Sequence, residues 1–222
     1  MDKQTTARTA LFDIDGTLLD SSSLWADIPA EYLHARGFEV SEDVSGSFFK
    51  RGYSNTARYL AQHYLPEEDP HAIMDAFCRI AASKYTSGVS EKPFAAQYLN
   101  FLRGKGIRCM AVTSNMKEIV LPALEQLHMT DSIDDIISIY DIGMDKRSPR
   151  FYLHIADLLH TPPEQCVVFE DALFAAESAK QAGMYIIGIY DKNADADWEN
   201  LKSTADRTIR SFEELIHNDV FL

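Results

Sequence analysis

Apolar positions along the chain follow two rhythms. Short continuous apolar runs alternate with segments whose apolar residues recur every three or four positions. Ala10-Leu11-Phe12 opens the first continuous run, and residues 9–13 are predicted as a strand. From about Asp20 to Ser90 the pattern turns helical, with no convincing strand. Leu24, Trp25, Ile28, Tyr32 and Leu33 make one helical stripe, in which Pro29 marks a first turn or kink and Gly37 a stop. A second helix is predicted over Asn55 to Tyr64, and a third from Pro70 to Tyr85 with Ile73, Phe77, Ile80 and Ala81 on one face.

Beyond Lys92-Pro93 the two rhythms alternate. Helices are predicted over Phe94 to Arg103, Lys117 to His128, Pro149 to Leu159, Ala172 to Gln181 and Phe212 to His217. Strands are predicted over Ile107 to Thr113, Ile136 to Tyr140, Cys166 to Phe169 and Tyr185 to Tyr190. Asp191 to Glu199 reads as an acidic, solvated loop. Strands this apolar are buried on both faces, so the fold class is α/β with a parallel, Rossmann-like sheet. The expected division is a core from residues 1–19 and 91–222, with an inserted α-helical cap over 20–90.

In such sheets ligands bind beyond the carboxyl ends of the strands, and four polar clusters fall there. The first is Asp13-Ile14-Asp15-Gly16-Thr17. Side chains at i and i+2 of an extended chain share a face, so both carboxylates enter one site if the strand continues through them. Anions that close raise each other's pKa unless a cation intervenes, and a hard divalent ion such as Mg²⁺ suits oxygen ligands. A solvated Asp-Gly turn is the plainer alternative for this segment alone. The second cluster is Thr113-Ser114-Asn115, placed either to bind an anion or to cap the next helix. The third is Glu170-Asp171, which a helix N-terminus would welcome in any case. The fourth is Lys146, in Asp145-Lys146-Arg147-Ser148-Pro149, where a lysine either offsets the carboxylates or lies solvated.

Charge narrows the partners. Lys and Arg number 21 against 34 Asp and Glu in 222 residues, a net charge of −13. That field repels nucleic acid and anionic membranes. A small phosphorylated metabolite is also anionic, so binding one needs a local positive centre inside the acidic field. Cys78, Cys109 and Cys166 are scattered and odd in number, which suits reduced thiols in a cytoplasmic protein. Met1 to Thr9 lacks the apolar core of a signal peptide, and no run approaches a membrane span. The seven histidines show no metal-ligand spacing.

Taken together, the clusters resemble the haloacid dehalogenase-like hydrolases, in the branch with a helical cap after the first motif. The DxDGT motif stands as Asp13 to Thr17. The hydroxyl of the second motif matches Thr113 and the lysine of the third matches Lys146. The fourth motif matches Val168-Phe169-Glu170-Asp171. The resemblance implies Asp13 as nucleophile, forming an aspartyl-phosphate, and Asp15 as general acid and then base. It implies Mg²⁺ held by Asp13, the backbone carbonyl of Asp15 and Asp171, with Glu170 nearby. Thr113 and Lys146 would hold phosphoryl oxygens, beside Ser114 and Asn115. The implied activity is a Mg²⁺-dependent phosphatase of a small phosphomonoester, such as a sugar phosphate.

A β-phosphoglucomutase-like mutase is the alternative. Lys50 to Asn55 resembles the substrate loop of that group, but Asn55 stands where its arginine would fall, with Arg51 or Arg58 as replacements. A non-catalytic binding protein on the same scaffold would be favoured by loss of a key acid, and all are present. Arg147, Ala172 and Ala175 depart from the usual motifs at positions that leave the chemistry intact.

Overall fold

The computed structural model describes residues 7–216, without the side chains of Glu42, Phe49 and Lys50. The polar N-terminal segment through Thr6, and His217 at the end of the last expected helix, lie outside the described residues. The chain forms two compact units, one from the residues up to Asp20 together with those from Ser90, the other Ser21–Val89. In chain order the elements are β1 (Thr9–Phe12), α1 (Ser22–His34), α2 (Glu42–Arg51), α3 (Tyr53–His63), α4 (Pro70–Thr86), α5 (Ala95–Gly104), β2 (Arg108–Thr113), α6 (Lys117–Gln126), β3 (Asp135–Ser138), α7 (Ile139–Ile142), α8 (Pro149–Leu158), β4 (Cys166–Glu170), α9 (Leu173–Gln181), β5 (Tyr185–Ile189), α10 (Trp198–Thr204), β6 (Arg207–Ile209) and α11 (Glu213–Ile216).

The six strands form one parallel sheet in the order β3-β2-β1-β4-β5-β6. Leu11 pairs with Met110 on one side and Val168 on the other. These residues share a face with Val112, Ile137 and Ile186, packed against Tyr152, Ile155, Ala176, Ala179 and Leu201 from the helices. The neighbouring register, Phe12 with Phe169, opens the opposite face. Those rings stack with centroids 4.2 Å apart, and Tyr98 and Phe212 pack around them. Burial on both faces explains the unbroken apolar runs.

In the Ser21–Val89 unit, Trp25 donates its indole hydrogen to Tyr85 Oη at 2.8 Å, tying α1 to α4. Asp69 caps α4 by accepting from the His71 amide at 2.7 Å, ahead of Pro70 in the first turn. The helix α2 is an addition to the sequence reading. Its stretch is polar and carries Gly46, and its apolar period is carried by little more than Val44 and the buried Phe48. Gly52, at φ +74, separates it from α3.

Three further differences have local causes. The third strand stops at Ser138, so Ile139 and the exposed Tyr140 belong to α7. Ser138 Oγ accepts from the Tyr140 amide at 3.2 Å, and Asp141 accepts from the Ser138 amide at 3.0 Å. That reciprocal cap overrides the apolar run. The segment read as a solvated loop after β5 forms a 3₁₀ turn over Lys192–Asp197 and then α10, which buries Trp198 and Leu201. The strand β6 is three residues long and opens on Arg207, too short and too polar to register as a period.

Candidate active site

The strand β1 ends at Phe12, yet the Asp13 amide still donates to the Phe169 carbonyl at 3.0 Å. Asp13 is therefore fixed by the sheet. The chain then turns back: Leu18 and Leu19 amides both donate to the Ile14 carbonyl, and Gly16 takes a φ of +92. The strand therefore does not continue through Asp15, the condition under which both carboxylates would share one strand face. Asp13 is buried beside Lys146, whereas Asp15 is half-buried and accepts from Asn115 Nδ2 at 2.5 Å. The two acids remain neighbours, since the Asp15 charge is among those that raise the Asp13 pKa.

Lys146 comes from the loop between α7 and α8 and is 2% exposed. Its ammonium bonds to Asp13 and, at 3.1 Å, to Glu170 Oε2. Glu170 is the last residue of β4, and its other oxygen accepts from the Ala172 amide at 3.2 Å. Asp171 follows at once, and its carboxylate accepts from Thr17 Oγ1 at 3.1 Å. The ends of β1 and β4 and one distant loop thus deliver three carboxylates and one ammonium to a single buried spot.

Charge in this spot is out of balance. Burial, and next the Glu170 charge, push the Asp13 carboxyl from its usual 3.8 to about 8, against the opposing pull of Lys146. Asp171 is held well above the carboxylate range by burial and by the charges of Asp13, Glu170 and Asp191. Burial works against the charged form of Lys146, but Asp13 and Glu170 outweigh it and raise its pKa well above 10.5. Three acids facing one lysine therefore need either protons or a further cation. Oxygens of Asp13, Glu170 and Asp171 lie within 4.8 Å of one another. An all-carboxylate donor set with one ammonium against three acids fits a hard divalent ion such as Mg²⁺. The Asp15 side chain is not in this group.

The second cluster is arranged differently from a helix cap. Thr113 Oγ1 accepts from the Asn115 amide at 2.9 Å, and α6 begins only at Lys117. Asn115 is clamped a second time, its carbonyl accepting from Ser138 Oγ at 2.6 Å. This clamp aims its amide at Asp15. Ser114 is exposed. Arg51 is an exposed residue of the Ser21–Val89 unit, lying 4.3 Å over the Tyr59 ring with Nε 3.4 Å from Ser47 Oγ. Asn55 Oδ1 accepts from Arg58 Nη2 at 2.6 Å within the same unit.

Two groups went unassigned from sequence. Thr17 is fully buried and orients Asp171; its signal was the threonine closing the Asp-Gly-Thr turn. Ser138 steadies Asn115 and had no sequence signal beyond ending an apolar run.

A family model described as haloacid dehalogenase-like hydrolase matches residues 10–189. Validoxylamine A 7'-phosphate phosphatase of Streptomyces hygroscopicus subsp. limoneus is 26% identical over 188 residues, 82% of this chain and 85% of its own. Hexitol phosphatase A of Escherichia coli (strain K12) is 27% identical over 205 residues, 92% of this chain and 91% of its own. Among solved structures, CbbY from Rhodobacter sphaeroides in complex with phosphate superposes with a TM-score of 0.80. It is 23% identical and covers 94% of this chain and 96% of its own.

Proposed function

The chain belongs to the haloacid dehalogenase-like hydrolases, and from that premise we propose a Mg²⁺-dependent phosphatase that hydrolyses a small sugar phosphate through an aspartyl-phosphate. It is a hydrolase of phosphoric monoesters, the class to which its curated relatives' names belong. The observation that carries the finer reading is the buried meeting of Asp13, Glu170 and Asp171, with Lys146 paired to the first two.

Asp13 attacks phosphorus while Asp15 gives its proton to the departing alkoxide oxygen. Asp15 then takes a proton from water, which attacks the acyl phosphate and frees Asp13 and inorganic phosphate. The bond from Asn115 keeps Asp15 aimed during both proton transfers. Lys146 and Thr113 hold phosphoryl oxygens in line. Asp13, Glu170, Asp171 and the Asp15 carbonyl would hold Mg²⁺, which supplies charge neutralisation on the transferring group. We place the enzyme in the cytoplasm, in keeping with its three free cysteines. No helix among the described residues is long and apolar enough to cross a membrane.

The test is a panel of phosphorylated sugars and sugar alcohols assayed with Mg²⁺ and with chelator. Inorganic phosphate released only with the metal is the expected result. Isomerised sugar phosphate without phosphate release would establish the mutase instead. Turnover unaffected by chelation would overturn the metal requirement.

A further inference from the structure

Arg147 follows Lys146 directly, in the loop between α7 and α8. Its side chain is 67% exposed, yet it is held on two sides. The guanidinium carbon lies 4.2 Å from the centre of the Phe174 ring, in the first turn of α9. Nη1 donates to Asp145 Oδ2 at 3.4 Å, and the Arg147 amide donates to the other Asp145 oxygen at 2.8 Å. Phe174 is itself 37% exposed, so the guanidinium covers a ring that the core leaves open. A cation over a ring face at this distance is an attractive contact.

Both members of this stack border the reactive cluster. Arg147 is the neighbour of Lys146, and Phe174 lies three residues beyond Asp171. The lysine loop is thus tied to the corner between β4 and α9 twice, by Lys146 on Glu170 at 3.1 Å and by Arg147 on Phe174. Otherwise the segment closes on itself. The Ser148 amide donates to the Asp145 carbonyl at 3.0 Å, and among the described residues no backbone bond joins 145–148 to the sheet. The two ties differ in what the reaction does to them. Lys146 trades part of its grip on the carboxylates for a phosphoryl oxygen, whereas the stack touches nothing that reacts.

We propose that Arg147 is a positioning residue for Lys146: stacked on Phe174, it clasps the lysine loop to the first turn of α9, so that the ammonium changes partners while its backbone stays in place. The kinetic part of this proposal rests on the phosphatase reading above. An exposed stack is a weak contact, which suits the setting of a loop. Its effect on rate is larger than its strength, because a misplacement of about 1 Å in a group that orients the reactants can cost up to about 100-fold.

The experiment makes Arg147→Ala, Phe174→Leu, their double variant and Phe174→Trp in the full chain. These residues are exposed, so melting temperatures should stay within about 3 °C of the wild type. Phosphate release with Mg²⁺ should show turnover about fivefold lower in each of Arg147→Ala and Phe174→Leu, with KM within about twofold. The double variant should be no slower than the slower single, because either loss opens the same clasp. Phe174→Trp keeps a ring face and should keep wild-type turnover, whereas a merely apolar contact would accept leucine equally well. The hydrogen-exchange protection of the Ser148 amide should fall about threefold in Arg147→Ala and Phe174→Leu and hold in Phe174→Trp. Losses that multiply in the double variant overturn the clasp. Unchanged turnover in both singles, or a rise in KM confined to Arg147→Ala, overturns the positioning role. Absence of any phosphatase activity in the wild type would defeat the functional reading, while exchange at Ser148 would still decide the clasp.

Discussion

Two buried charge clusters lie just past strand ends of the same sheet, and they are built to opposite rules. Beyond β5, Lys92 Nζ donates to Asp191 Oδ2 at 3.0 Å and to the Tyr190 carbonyl at 2.9 Å. The other Asp191 oxygen accepts from the Asn193 amide and side chain at 2.7 and 3.0 Å. One cation meets one anion, and both carboxylate oxygens are satisfied. Beyond β1 and β4, three acids meet and a single lysine pairs with two of them, Asp13 and Glu170. The first arrangement is complete in itself. The second is complete only with protons or a further cation. Burial and location are common to both, so charge arithmetic is what separates a structural pair from a reactive one. The contrast also corrects the sequence reading, which took the segment beginning at Asp191 for a solvated loop.

The sharpest way to break the comparison is at its reactive end. Asp13→Asn removes the nucleophile and relieves repulsion together. Turnover should fall at least about 1,000-fold while the melting temperature stays at or above that of the wild type. Hydrolysis near the wild-type rate, measured by phosphate release, would end the covalent scheme. At the balanced end, Lys92→Met strands a buried carboxylate and should cost about 3 kcal/mol of stability in denaturant titration. Adding Asp191→Leu should recover most of that loss, because a balanced pair can be replaced by packing. A single substitution no worse than the double would show that the pair is incidental.

The smallest effect is on pH. The folded Asp13 carboxyl titrates at about 8 and its usual value is 3.8. The folded state therefore binds more protons across that window, and metal-free stability should fall as pH rises from about 4 to 8. Mg²⁺ replaces the proton, so its stabilisation should be larger at pH 8 than at pH 6, at most about 1.4 kcal/mol per pH unit for this one group. Equal melting shifts at both pH values would contradict the charge deficit.

Much of this was visible in the sequence because the relevant signals are short and local. Apolar runs such as Cys109 to Val112 and Cys166 to Phe169 are short, β-rich and bounded by turns, as buried strands are, and each ends on a polar group. The acids at Asp13, Asp15, Glu170 and Asp171 announced themselves by falling at those ends. What the sequence hid depends on distance or on weak periods. That Asp15 would accept a bond from Asn115 required the Gly16 turn and the clamp from Ser138. That Lys92 would find Asp191, 99 residues away, had no local trace. The helix α2 and the strand β6 were hidden by polar residues, since burial of Phe48 and Ile209 alone makes no rhythm.

The stretch Leu18–Asp20 also runs beside Ser90–Lys92, joined by the Asp20 amide to the Ser90 carbonyl at 2.9 Å, the Lys92 amide to the Leu18 carbonyl at 2.8 Å and an antiparallel bridge from Leu19 to Glu91. Exit and re-entry are stapled side by side, so the intervening helices behave as a cassette. Such a cassette can be lengthened, exchanged or replaced by a tight hairpin without unravelling a strand of the sheet. Inheritance can therefore rewrite this segment while the acid-bearing edge keeps its geometry.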